Sequence, residues 1–245
     1  MTAEVAVVAL VAVLLGALLK SITGVGLPLI TIPAISYVAD IETAVAVTAV
    51  PNFAVNAALS WRERQSIDTT RDLPILAIAG LAGAVLGTLL LVSLPENPLI
   101  ALLLAMVIVY AINFFRRPEF EISRPTARRF APAVGLATGA MQGAVGISAP
   151  ILVPWLHSYR LPRDTHVFSV TALFAVAGVA QILTLTAGDA LDGRWTVALV
   201  ACLPALATIP IGERLRGSLT TQGFDRFVVI SLSASVLVLA LRTFL

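Results

Sequence analysis

Apolar stretches of membrane-spanning length recur throughout this 245-residue chain, and no other feature restricts its fold so much. Apolar runs lie near 5–20, 25–38, 42–61, 73–94, 98–115, 130–142, 147–158, 166–187, 195–211 and 224–244. A helix rises ~1.5 Å per residue, so the runs of about twenty match a hydrocarbon core of ~30 Å, whereas 25–38, 130–142 and 147–158 do not easily cross it. In lipid every backbone N–H and C=O needs a partner from the protein itself, and a helix supplies all of them within one segment. Hydrophobic residues make up 58% of the chain, charged residues only 12%, and the mean hydropathy is +0.96. These values exclude an ordinary soluble domain. The expected fold class is an all-α polytopic integral membrane protein.

The short runs come in pairs. Segments 5–20 with 25–38, and 130–142 with 147–158, read as helical hairpins that enter part of the membrane and turn at Gly-rich links. The first link lies in KSITGVGLPLITIP (20–33), the second in QGAVGISAPILVP (142–154). Aligning Lys20 with Gln142 also places Gly24 on Gly146, Pro28 on Pro150 and Tyr37 on Tyr159, a constant offset of 122. The chain therefore reads as two copies of one unit, 1–122 and 123–245. The first has a hairpin over 5–38 and crossings within 42–115; the second has a hairpin over 130–158 and crossings within 166–244.

Charge sets the orientation. Loops 62–72, 116–129, 158–165 and 212–226 hold thirteen of the sixteen basic residues; Arg194 and Arg242 lie at the opposite ends, and Lys20 lies within the membrane. Positive loops stay cytoplasmic. Both termini then face outward in a bacterial inner membrane, and the two units, separated by an odd number of crossings, are inverted copies, as in many secondary transporters. Trp61, Trp155 and Tyr159 at inner ends, and Tyr37 and Trp195 at outer ones, fit an interfacial belt. The segment before the first run, MTAEV, has no Lys or Arg, so this run reads as retained structure rather than a signal peptide. The pI of about 9.1 reflects topology and points to no nucleic-acid partner. The single cysteine, Cys202, permits no internal disulfide. A homodimer is one arrangement the sequence leaves open.

Lys20 is the only lysine. A charge within a bilayer costs ~2.5–3.5 kcal/mol or more, which asks for a function. The second arm of each hairpin starts just after its Gly-rich link, so free N–H groups and a positive dipole end would meet there, and both suit an anion. The expected substrate-binding residues are Lys20, Ser21, Thr23, Gly24 and Gly26 from the first link and Gln142, Gly143, Gly146 and Ser148 from the second. Asn52 and Thr171, on the crossings that follow, complete the set. Inversion would bring the two links together near mid-membrane. Against this, Gly135, Gly139 and Gly143 form a small-xxx-small ridge, as do Gly83 and Gly87, and such ridges serve close helix packing. No HExxH, GxSxG, P-loop or paired intramembrane carboxylate is present, so no enzyme activity and no cofactor is expected. His157, Asp164 and His166 cluster at one cytoplasmic end without the spacing of a metal-binding helix, and no metal site is expected.

The duplicated hairpins, with GVGLPLITIP in the first unit and GAMQGAVGISAPILVP in the second, resemble the TauE/SafE sulfite exporters, the TSUP family. The resemblance covers essentially the whole chain. It implies transport, most readily export, of small sulfur-containing anions such as sulfite, sulfoacetate or other organosulfonates. Joined to the reading of the residues, it gives a secondary transporter that works by alternating access around an anion site between the hairpins. An anion channel, or an uptake carrier for thiosulfate or another small anion, is the alternative.

Overall fold

The computed structural model describes residues 1–23, 26–116 and 121–215. These residues form nine α-helices: α1 (Ala3–Thr23), α2 (Leu27–Val38), α3 (Ile41–Arg62), α4 (Leu73–Ser93), α5 (Glu96–Arg116), α6 (Arg124–Val145), α7 (Ala149–His157), α8 (Arg163–Ala187) and α9 (Trp195–Leu215). A short 3-10 helix over Arg64–Thr69 lies between α3 and α4, and no strand occurs among the described residues. Six helices, α1, α3, α4, α5, α8 and α9, are long and apolar enough to cross a membrane. The chain is an all-α polytopic membrane protein. The expected crossing at 224–244, Arg117, and Arg216 and Arg226 of the loop 212–226 lie outside the described residues.

Helix ends follow local chemistry. Asp40 caps α3, one carboxylate oxygen accepting from the Thr43 amide at 2.6 Å and the other from its hydroxyl at 2.9 Å. Ser123 caps α6 in the same way, and Gly146 ends it in the left-handed conformation at φ 69°. Both α2 and α7 start with an apolar residue followed by proline, Leu27-Pro28 and Ala149-Pro150, where the missing N–H belongs to the unbonded first turn anyway.

Helix starts reproduce the sequence offset. Leu27 and Ala149, Ile41 and Arg163, and Leu73 and Trp195 each stand 122 residues apart. Packing does so too. Helix α1 lies on α9 and α6 on α4, one arrangement made twice under that shift, while α3 lies on its own counterpart α8. In the α4–α6 seam, a Cβ added at Gly83, Gly87, Gly139 or Gly143 would run into backbone of the facing helix. Equivalent positions of the α1–α9 seam hold Val13 and Ala17 against Ala201, Ala205 and Ile209, all buried.

The hairpin arms differ from the lengths read in hydropathy. The first arms have 21 residues in α1 and 22 in α6, whereas the second arms have 12 in α2 and 9 in α7. The short run 130–142 is thus corrected to a helix starting at Arg124. Its polar opening hid it, because a helix emerging from lipid needs no apolar residues at its wet end. The first arm also overshoots the second: Gly16 lies against Leu27, so close that a Cβ would come within 2.7 Å of its carbonyl oxygen. From there α1 runs on for about two turns, and these carry Lys20.

Candidate functional site

The overshooting end of α1 brings Lys20 into the protein interior. Its side chain is 1% exposed. The ammonium donates to Asn52 Oδ1 of α3 at 3.0 Å and stands 5.5 Å from the ring centroid of Phe174 of α8. Asn52 Oδ1 also accepts from Asn56 Nδ2 at 3.3 Å, which orients the amide with its oxygen toward the lysine.

A cavity of about 20 Å³ opens beside these groups. Lys20, Gly26, Asn52, Gln142, Gly146, Ser148 and Phe174 line it, with apolar residues of the two short arms. This brings six of the expected site residues together. The volume suits roughly one water molecule, so an oxyanion enters only if the walls part. No carboxylate is among the lining residues. The ammonium therefore meets a neutral amide and an aromatic face, which stabilise a buried cation far less than an anion would.

The second link is held by its own polar contacts. Ser148 Oγ donates to Gln142 Oε1 at 2.9 Å, across the turn made by Gly146. Gln181 Nε2 of α8 donates to the Gln142 carbonyl at 2.8 Å. Both short arms present their first turns here without any side-chain cap, at Gly26 for α2 and Ser148 for α7. Gly26 has φ 133°, and a Cβ there would press on Leu19; one at Gly146 would press on Ile32.

Other expected residues lie elsewhere. Ser21 Oγ donates back to the Ala17 carbonyl at 2.8 Å and sits 3.2 Å from Thr208 Oγ1, in the α1–α9 seam. Thr171 donates to the Val167 carbonyl of its own helix at 2.8 Å. Gly143 packs into α4. Gly24 and the Thr23 side chain lie outside the described residues. Tyr159, expected in an interfacial belt, is instead buried beyond α7 and carries the Arg71 guanidinium on its face at 4.5 Å.

Sequence reasoning missed Phe174. The signal was present, since the 122-residue offset that pairs Lys20 with Gln142 also pairs Asn52 with Phe174 and Gly26 with Ser148. All three pairs line the one cavity.

With the geometry established, the family comparison gives a match: the family described as Sulfite exporter TauE/SafE matches residues 8–239. Comparison with curated proteins and with solved structures gives no match.

Proposed function

The chain belongs to the TauE/SafE sulfite exporter family, a family of membrane transporters, and on that premise we propose that it carries a small sulfur-containing anion, such as sulfite, sulfoacetate or another organosulfonate, by alternating access. The anionic headgroup would bind between the two Gly-rich links, on Lys20 and the first turns of α2 and α7, which carry no side-chain cap. One observation carries this reading: Lys20 is buried beside both links with no carboxylate in the cavity wall. A buried ammonium without a counter-charge is costly, and an arriving oxyanion offsets that cost with charge-assisted hydrogen bonds.

The donors divide between the halves. The first supplies the charge, the second neutral groups from Gln142 and Ser148. That division follows from a site on the axis between units 1–122 and 123–245, inverted with respect to each other. The tightness of the cavity supports a carrier, because an anion wider than water requires a rearrangement each time it passes. By the distribution of basic residues in the sequence, the loops 62–72, 116–129, 158–165 and 212–226 would be cytoplasmic and the start of α1 outside, in a bacterial inner membrane.

Proteoliposomes test the proposal directly. Labelled sulfite efflux should accelerate when unlabelled sulfite is supplied opposite, which a carrier does and a channel does not. Lys20→Ala should abolish that exchange. Normal exchange by Lys20→Ala would make the lysine an anchor and overturn the site.

A further inference from the structure

A second, much larger cavity lies at the other end of α7. Ala149 at the start of this helix lines the Lys20 cavity, while Tyr159 and Arg160 just past its end line one of about 620 Å³. Between them Leu152 and Leu156 pack with Leu76, Ala131, Val170 and Leu173 in a continuous apolar cluster.

Four arginines converge on this outer cavity: Arg71, Arg124, Arg128 and Arg160. Against them stand Asp68 and Asp72 in the wall, and Glu121, which pairs with Arg160. The balance stays positive. The Arg71 guanidinium stands over the Tyr159 ring, 4.5 Å from its centroid, with its Nε 3.6 Å from Asp72, while one terminal guanidinium nitrogen is buried with no hydrogen-bond partner. Burial, above all, and the Asp72 carboxylate push the Tyr159 phenol up to about 12, so it remains a neutral wall for that cation.

Arg124 and Arg128 are harder to explain by folding. They stand four residues apart on one face of α6, in its first two turns, with no acidic residue in the first turn. Like charges at this spacing repel, and the helix dipole opposes cations at this end. Topology asks for positive charge on this side of the membrane, but not for its convergence on one concavity.

We propose that this arginine-lined cavity is a second binding site, for the oxyanion group, sulfonate or phosphate, of an anionic molecule. Guanidinium edges match such oxygens in pairs. A volume of 620 Å³ falls in the range of small-molecule sites and exceeds what a bare sulfite fills. The occupant therefore has a body behind its oxyanion, as an organosulfonate or a phospholipid headgroup has. Choosing the sulfonate rests on the transport reading; the oxyanion site itself does not.

Two arms distinguish the sources. In the first, purified Lys20→Ala protein in phosphatidylcholine nanodiscs is titrated calorimetrically with sulfoacetate, before and after adding Arg124→Gln and Arg128→Gln. In the second, native mass spectrometry compares retention of phosphatidylglycerol by the same two proteins. Both arginine side chains are exposed, and Arg124→Lys with Arg128→Lys serves as a charge-retaining control. A tenfold or greater loss of sulfoacetate affinity, largely restored by the lysines, identifies a free sulfonate. Loss of phosphatidylglycerol retention identifies the lipid. Equal behaviour of the two proteins in both arms overturns the proposal, whatever Lys20→Ala does to transport.

Discussion

Asn52 and Phe174, equivalent residues 122 positions apart, both touch the ammonium of Lys20, the first through a 3.0 Å hydrogen bond to its Oδ1 and the second through its ring at 5.5 Å. Under the 122-residue offset, an amide at one position corresponds to an aromatic face at the other. Neither carries charge, so the contacts hold the lysine in position without neutralising it. A carboxylate at either place would have made an internal salt bridge and left nothing for a ligand.

Asn52→Asp tests that distinction. The new carboxylate would occupy the place of the amide oxygen, within ion-pair distance of the lysine. A substrate anion would then compete with a permanent intramolecular partner, and sulfite binding should fall at least tenfold while the protein still folds. Calorimetric titration of the purified variant measures it. Sulfite affinity equal to that of the parent would mean that the ammonium does not contact the anion.

Charge removal has a definite size. A hydrogen bond to a charged group contributes ~1.5–3 kcal/mol, so Lys20→Ala should weaken sulfite binding by roughly one to two powers of ten. Lys20→Arg should recover part of this, since the planar guanidinium keeps the charge but not the compact shape. The comparison of three dissociation constants decides, and full recovery by arginine would show that shape is irrelevant.

Much of this was legible before the structure. The offset of 122 emerged from Lys20, Gly24, Pro28 and Tyr37 alone, and helix starts repeat it because proline and N-capping residues act locally. The faces of individual residues were not legible. Ser21 and Thr171 look like site donors in the sequence, yet each hydroxyl bonds back to its own helix, an option that hydropathy does not reveal. Gly143 turns toward α4 because the seam of Gly83, Gly87 and Gly139 dictates the approach of α6. Phe174 hides because an aromatic in an apolar run carries no polar signal. Tyr159 was misplaced for a related reason: the aromatic ring suits an interface, but Arg71 draws it inward.

The two links should matter equally. Gly26 and Gly146 both have positive φ, and a side chain at either meets Leu19 or Ile32 besides straining the backbone. Gly26→Val and Gly146→Val should each abolish vesicle transport while the proteins insert normally. A silent Gly146→Val beside a dead Gly26→Val would confine the site to the first hairpin.

The far ends of the two halves are tied by charge. Arg194, before α9, donates to Glu42 in the first turn of α3 at 2.9 Å, both side chains partly exposed. In the proposed orientation, with the basic loops at the other end of these helices, the pair belongs to the outer face. Such a pair contributes ~0.2–1 kcal/mol, enough to change an open population up to roughly fivefold. If outward opening separates α3 from the α8–α9 loop, Glu42→Gln should favour the open form. A cysteine replacing Ser148, in a Cys202→Ser background, reports it by its labelling rate with an impermeant maleimide added outside. Glu42→Gln should speed labelling severalfold, high salt should act in the same direction through screening, and the swap Glu42→Arg with Arg194→Glu should restore the original rate. An unchanged or slower rate in Glu42→Gln would mean that this ion pair does not hold the outer end closed.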